Sequence, residues 1–289
     1  MHDALFSRPE YYKEIRKDAA AQPIVEKPLG LWERLYDITL IRRIAILALL
    51  ALAWQLYAER LNNPLLLPTF AATLLAVTHG FGDLLTRSWI SLQTLLIGYT
   101  VGVLLAGILT VFATSTRIGR DLLETLTAMF NPLPAIALLP LALIWFGLGT
   151  VSILFVLIHS VLWAVALNAH SGFTAVSETL RLVGRNYGLR GFAYVIRILI
   201  PAAFPQILTG LKVGWAFAWR TLIAAELVFG VSSSGGGGLG WYIYSNKNLL
   251  ETANVFAGLL TVIAIGILVE TLIFGNVEGA TVRRWGMQR

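Results

Sequence analysis

Long apolar runs separated by short polar or proline- and glycine-rich breaks govern this chain from about residue 40 onward. A bilayer core about 30 Å thick takes roughly 20 apolar residues of helix to cross. Six runs approach that length, at about 40–57, 91–112, 122–145, 151–168, 207–229 and 255–274. After the first, LNNPLLLPTF reads as a turn-rich connector, and Phe70 to Gly80 form a helix too short to cross. Gly98, Gly102 and Gly107 give the second run small-residue faces for close helix packing. The third run is interrupted by NPLP (Asn131 to Pro134) and again by Pro140. After the fifth, VSSSGGGGLGWYIYSNKN reads as a flexible loop with an aromatic end. Ahead of the first, Leu31, Leu35 and Ile38 recur at helical spacing beside Trp32 and Tyr36, the pattern of an interfacial helix lying on the membrane. The expected organisation is a polar tail and interfacial helix over 1–39 and a transmembrane domain over 40–289 in an all-α integral membrane protein.

Composition supports this division. The 289 residues are 57% hydrophobic and 13% charged, too little charge to solvate a soluble domain of this size. There is no cysteine, which excludes disulfide scaffolds and cysteine-based metal or redox sites. The first forty residues lack the continuous apolar core of a cleavable leader, so the mature chain is expected to keep its polar tail.

The net charge of +6 follows the loops. With six crossings both termini share a compartment. From Arg34 onward that side carries twelve basic residues, among them Arg117, Arg120, Arg181, Arg185, Arg190, Arg197, Arg283 and Arg284. The opposite side has three, Arg60, Arg87 and Lys247. The positive-inside bias then sets both termini in the cytoplasm. Basic residues spent on topology leave no nucleic-acid footprint, and no nucleic-acid partner is expected.

The stretch from Gly172 to Gln206 (172–206) is the one long polar interruption in the C-terminal half. Ser177 can cap a helix whose first turn holds Glu178. Leu180, Val183 or Gly184, and Tyr187 fall on one face, and Arg181 and Arg185, four apart, on another. Gly184 would let a backbone or a bulky residue approach closely, and Gly188 is well placed to end the helix. A second apolar helix follows through Phe192, Val195, Ile196 and Leu199, with Pro201 and Pro205 leading into the fifth span. By pattern alone this is either a docking element or an amphipathic loop helix resting on the membrane.

Charges inside the runs are expensive unless they face a cavity or a partner. Lys212 is near one end of the fifth run and can snorkel, and Glu270 sits near the inner end of the sixth. Both read as structural. Arg220 and Glu226 are six positions apart, about 240° around a helix, so they cannot pair with each other. Each either lines a path through the membrane or holds two helices together. Pro132 and Pro134 leave carbonyls unpaired beside Asn131, which lipid cannot satisfy, so this break marks either a transport path or a packing kink. His159 and Ser160 are adjacent on one helix and form no catalytic pair, while His79 and His170 show no metal-ligand spacing. Neither catalytic residues nor a metal site is expected.

Gly188 followed by Ile198 to Pro201, reading ILIP, resembles the EAA loop of permease subunits of bacterial ABC importers. Leu182, Val183 and Gly184 stand where that signature has Glu-Ala-Ala. NPLPAIALLPLALIWFGLG, AFPQILTGLKVGWAFAWRTLIAAELV and GGLGWYIY are similar to segments of the nitrate/sulfonate/taurine/bicarbonate group of these permeases. The resemblance covers most of the chain from about Leu67. It implies the type I importer architecture of six transmembrane helices with a cytoplasmic coupling-helix hairpin, in an inner membrane. It implies that Arg181, Leu182, Val183, Gly184, Arg185, Asn186, Tyr187, Gly188 and Leu189 contact an ATPase. The implied assembly has two permease subunits, two cytoplasmic ABC ATPase subunits and a periplasmic substrate-binding protein, the permeases most simply a C2 homodimer. The implied function is the translocation path for a small anionic solute, with Asn131, Pro132, Pro134, Arg220 and Glu226 as its candidate residues. The chain has no G-x-x-x-x-G-K-[ST] loop, so no cofactor of its own is expected, and ATP and Mg would bind the ATPase. The rival, a secondary transporter or channel working without ATP, would favour mid-membrane carboxylates, of which this chain has few.

Overall fold

The computed structural model describes residues 38–229, 236–284 and 286. The N-terminal tail and most of the expected interfacial helix, Leu31 and Leu35 included, lie outside the described residues, as does the run 230–235.

Among the described residues all regular structure is helical and there is no strand. Five helical stretches are long and apolar enough to cross a membrane: Thr39–Leu61, Phe81–Ser115, Thr150–Thr174, Val195–Val228 and Thr252–Arg283. Arg117–Phe130 and Ala135–Phe146 meet at a bend of 86° and make the sixth crossing if taken as one broken span. The α-helices of eight or more residues among those described are α1 (Thr39–Leu61), α2 (Phe70–His79), α3 (Phe81–Ser115), α4 (Arg117–Phe130), α5 (Leu139–Phe146), α6 (Thr150–Thr174), α7 (Glu178–Asn186), α8 (Ile200–Phe229), α9 (Leu239–Asn248) and α10 (Thr252–Leu268).

The chain divides into two compact units between Ala51 and Leu52. The described part of the first is the opening of α1, where Leu40, Ile44, Leu47 and Leu50 are exposed and Arg42 reaches back to Thr39 Oγ1 at 3.4 Å. The second unit begins with the rest of α1. There Trp54 Nε1 donates to the Pro68 carbonyl at 3.0 Å and Gln55 Oε1 accepts from the Ala71 amide at 3.0 Å. The Trp54 ring lies 5.4 Å from both Phe70 and Phe256.

The centre of the second unit is α6, which packs between α3 and α8 and buries Val156, Leu157, Val161, Val165 and Ala166. Small residues set both interfaces. A Cβ at Gly98 would stand 2.9 Å from Leu157 Cβ, and one at Gly102 would stand 2.8 Å from Val161 Cβ. On the other side Gly210 and Gly214 meet Asn168 and Val165 in the same way. Helices without side chains at the crossing approach closely enough for dispersion to hold them where lipid offers no hydrophobic driving force. Gly107, expected to share this role, has nothing within 4 Å of its Cβ position. Much of the outer surface is apolar, with Ile97, Leu104 and Ile108 on α3 and Ile263 and Ile267 on α10 exposed as lipid-facing side chains would be.

Three local readings change. Leu239–Asn248, expected to be the aromatic end of a flexible loop, is the helix α9. Pro201 and Pro205, expected to lead into the fifth span, lie inside α8 instead, with a π-helical turn over Val195–Leu199 immediately upstream. The extra residue in that turn widens the backbone where a proline lacks its amide, so the helix runs on. Pro140 does not break the third span either. It occupies the first turn of α5, where a missing amide costs nothing, and the break is confined to the preceding turn.

Candidate functional site

Two features survive from the sequence as sites: a hairpin at one end of the bundle and a cleft beside the broken span. The hairpin is built from its caps inward. Ser177 Oγ accepts from the Leu180 amide at 3.4 Å and starts α7 with Glu178 in its first turn. At the other end Gly188 takes φ +73°. The Gly188 amide donates to the Arg185 carbonyl at 2.9 Å, and the Leu189 amide to the Gly184 carbonyl at 3.1 Å. That pair of bonds is the Schellman closure, which only a residue free to take positive φ completes without strain. Gly191 at φ +53° then starts the return.

The bulky neighbours of Gly184 come from the hairpin itself. A Cβ there would stand 3.0 Å from both Ile198 Cγ1 and Tyr194 Cε2. Behind this contact Phe173, Val176, Val195, Leu199 and Ala203 form a small core of their own. The hairpin is therefore a folded unit. Its outward surface carries Leu180, Leu182, Val183 and Tyr187, the last 81% exposed.

Arg181 was expected to present its charge outward with Arg185, and it does not. Its Nε donates to the Val176 carbonyl at 3.1 Å and its Nη2 to the Phe173 carbonyl at 2.6 Å. It also stands 3.7 Å from Glu178. The connection from α6 to α7 leaves carbonyls that the helix cannot satisfy, and the guanidinium supplies the donors. Arg185, Asn186, Tyr187 and Gly188 remain exposed, while Leu189 is half-buried.

The cleft lies where α4 stops. Asn131 caps α4, Pro134 turns the chain into extended backbone, and a 3-10 turn over Ala135–Leu138 leads into α5. The space beside this bend has a volume of about 260 Å³. Asn131, Pro132 and Pro134 line one wall, His159 and Trp163 of α6 a second, and Phe217, Arg220 and Thr221 of α8 a third. Phe130 stacks on Trp163 at 5.4 Å and 14°, and His159 meets the Phe130 ring edge-on at 6.1 Å. Arg220 Nε donates to the Ala216 carbonyl at 2.9 Å, and its guanidinium carbon lies 5.1 Å from the Phe217 ring centre. Ser160 donates to the Leu157 carbonyl at 2.8 Å, so it does not pair with His159. Four residues named from sequence as path candidates, Asn131, Pro132, Pro134 and Arg220, thus share one cavity.

Glu226 stands apart from them. It is 6% exposed, and both of its oxygens are engaged. Ser91 Oγ donates to Oε1 at 2.8 Å and Oε2 at 2.9 Å, and the Gly240 amide donates to Oε2 at 2.8 Å. The Leu239 amide donates in turn to Ser91 Oγ at 2.9 Å. These are the first amides of α9, so the carboxylate and hydroxyl cap its N-terminus from two other helices. A Cβ at Gly238 would overlap Ser91 Oγ and the Glu226 carboxylate. Arg87 completes the cluster, donating to the Gly237 carbonyl at 2.9 Å and pairing with Asp83 at 3.0 Å. Of the two roles open to Glu226, the geometry is that of holding helices together. Ser91 was missed from sequence, where a lone serine in an apolar run carries no signal. A hint lay in the lone Glu226 followed by the glycines of GGLG.

Lys212, read as structural, pairs with Glu278 at 2.5 Å and with Glu270 at 3.7 Å. It ties α8 to the helical continuation of α10, π-helical over Val269–Phe274 and α-helical over Gly275–Glu278. Beneath α9 a second cavity is lined by His79, Asp83, Arg87, Tyr242, Ser245 and Asn246, among others. Burial, with the negative charges of Asp83 and Glu251 adding to it, holds the Tyr242 phenol above its ordinary range. It therefore stays neutral at physiological pH. Among the described residues no three His, Cys, Asp or Glu side chains come together as metal ligands would.

Known proteins share this arrangement of sequence. The family model for the binding-protein-dependent transport system inner membrane component matches residues 98–275. The chain is 31% identical over 237 residues to a putative ABC transporter permease protein of Methanocaldococcus jannaschii, covering 80% of this chain and 87% of that protein. It is 30% identical to the taurine transport system permease protein of Escherichia coli, covering 77% and 82%. To the nitrate import permease protein of Synechocystis it is 26% identical, covering 83% and 88%. The matched segment runs from within α3 to just past α10 and contains both the hairpin and the cleft. The chain belongs to the family of binding-protein-dependent transport system inner membrane components, and is a non-catalytic, multi-pass permease component of an ABC importer.

Proposed function

We propose that two copies of this chain form the membrane pore of the importer, each offering its hairpin to one of two cytoplasmic ATPase subunits. A substrate-binding protein delivers solute to the opposite face. The observation that carries this reading is the hairpin's division of labour. Its inner side is closed by caps, by Tyr194 and Ile198 against Gly184, and by its own small core. Its outer side leaves Leu182, Val183 and Tyr187 uncovered. A rigid element with an apolar outward face transmits movement, whereas one that merely rested on lipid would need no second core. The contact surface is Leu182, Val183, Arg185, Asn186 and Tyr187. Gly184, Gly188 and Leu189 shape the element, and Arg181 fastens it to α6.

Both termini and the hairpin lie in the cytoplasm, in line with twelve basic residues on that side against three on the other. ATP and Mg bind the ATPase subunits, and this chain binds no cofactor. Closure of the ATPases draws the two hairpins together and switches the cavity between inward and outward access. The path passes the cleft of Asn131, Pro132, Pro134 and Arg220. The solute is a small anion, as the names of the taurine and nitrate relatives support. The test is uptake of radiolabelled taurine, nitrate and alkanesulfonates into proteoliposomes holding the permease, the ATPase and the binding protein encoded beside them. Uptake should require all three and ATP. Transport at the same rate by the chain alone, without nucleotide, would overturn the reading.

A further inference from the structure

We propose that the cleft beside the broken span is an oxyanion-binding station and that Arg220 is its anchor. This rests on the reading of that cleft as part of the path. Arg220 lies inside the membrane-crossing stretch Val195–Val228, about 12 Å along the helix from its C-terminal end. A guanidinium at that depth is costly unless it faces water, a ligand or an opposite charge. Among the described residues no opposite charge meets it: none of those lining the cleft is acidic, and Arg220 takes part in none of their ion pairs. Lys212, the other cation of α8, is by contrast paired with two glutamates.

The guanidinium is held in a way that leaves its fork open. Among the described residues it makes one hydrogen bond, from Nε to the Ala216 carbonyl, and its face lies near Phe217. The four N–H groups on Nη1 and Nη2 make no hydrogen bond among the described residues. Two parallel N–H groups match two oxygens of a nitrate, carboxylate or sulfonate, which a spherical ion cannot exploit. The facing wall holds unpaired polar atoms just beneath its surface. His159 Nδ1 and Nε2 and Trp163 Nε1 are buried without a hydrogen-bond partner among the described residues, and buried polar atoms are normally paired. A volume of about 260 Å³ suits a solute of a few heavy atoms and is small for a drug-sized ligand. The cleft therefore takes a small monovalent oxyanion, bound weakly enough to leave.

The test is a tryptophan-fluorescence titration of the purified full-length chain in detergent with sodium methanesulfonate, ionic strength held constant with sodium chloride. The wild type should respond saturably. R220Q should raise the apparent Kd by about tenfold or more, and R220K, which keeps the charge without the fork, by roughly threefold to fivefold. No saturable response in the wild type, or equal binding by R220Q, overturns the proposal. If R220Q does not fold, R220K decides alone: undiminished preference for methanesulfonate over chloride sinks it. No ATPase is present, so failure here leaves the importer reading standing, and failure of ATP-driven uptake leaves this binding intact.

Discussion

The Ser91 hydroxyl lies 2.8 Å and 2.9 Å from the two carboxylate oxygens of Glu226, joining α3 to α8 across 135 positions of sequence. Because Ser91 also accepts from the Leu239 amide and Glu226 from the Gly240 amide, one buried pair fixes the start of a third helix. Ser91→Ala removes a donor to the carboxylate and leaves the Leu239 amide unpaired, for an expected loss of about 1–3 kcal/mol. Glu226→Gln keeps an acceptor for Gly240 and should cost less than Glu226→Ala. Gly238→Ala should resemble the alanine variant, since its methyl group would occupy the space of the carboxylate. Thermal unfolding of the purified chain ranks the four; Glu226→Ala unfolding no earlier than wild type would refute the capping role.

Arg181 and Tyr187 sit six residues apart on the hairpin and should fail differently. Arg181 serves the Phe173 and Val176 carbonyls, so Arg181→Ala should destabilise the chain by about 1.5–3 kcal/mol, the range for charge-assisted hydrogen bonds. Tyr187 is exposed, so Tyr187→Glu should leave unfolding unchanged and cut co-purification of the ATPase. Equal recovery of ATPase with Tyr187→Glu and with wild type would argue against the hairpin as the docking surface.

Gly184→Val places branched carbons against Tyr194 and Ile198 at a site already tight for a single Cβ. Overpacking of this kind costs about 1–3 kcal/mol, and the strain is confined to the hairpin. Limited proteolysis should show faster cleavage near Gly188 while the long helices stay protected. An unchanged digestion pattern would contradict the packing.

Lys212 joins Glu278 and Glu270 with its side chain 25% exposed. A double-mutant cycle of Lys212→Met with Glu278→Gln should give a coupling of about 1–3 kcal/mol, between the limits for exposed and buried pairs. Additive losses would mean the pair contributes nothing.

The chain has no cysteine, so single cysteines report sidedness directly. Leu249→Cys, at a position 68% exposed just after α9, should react with an impermeant maleimide from outside the cell. Ile118→Cys, 77% exposed at the start of α4, should react only after permeabilisation. The reverse pattern would invert the topology.

What the sequence determined by itself were the features with short-range causes. Runs of apolar residues fix crossings because lipid demands an unbroken helix. Ser177, Gly188 and the NPLP break act on backbone within a few residues, and the hairpin and the bend follow from them. Tertiary structure decided which partner each polar group found. Arg181 and Arg185 look alike in sequence, yet only one lies within reach of the carbonyls at the end of α6. Arg220 and Glu226 share one helix, and packing sent one to a cleft and the other to a buried serine from α3. α9 formed from a glycine-rich stretch because its first amides meet that carboxylate. In a low-dielectric interior the pairing of each charge outweighs local propensity, and pairing depends on neighbours that sequence separation conceals.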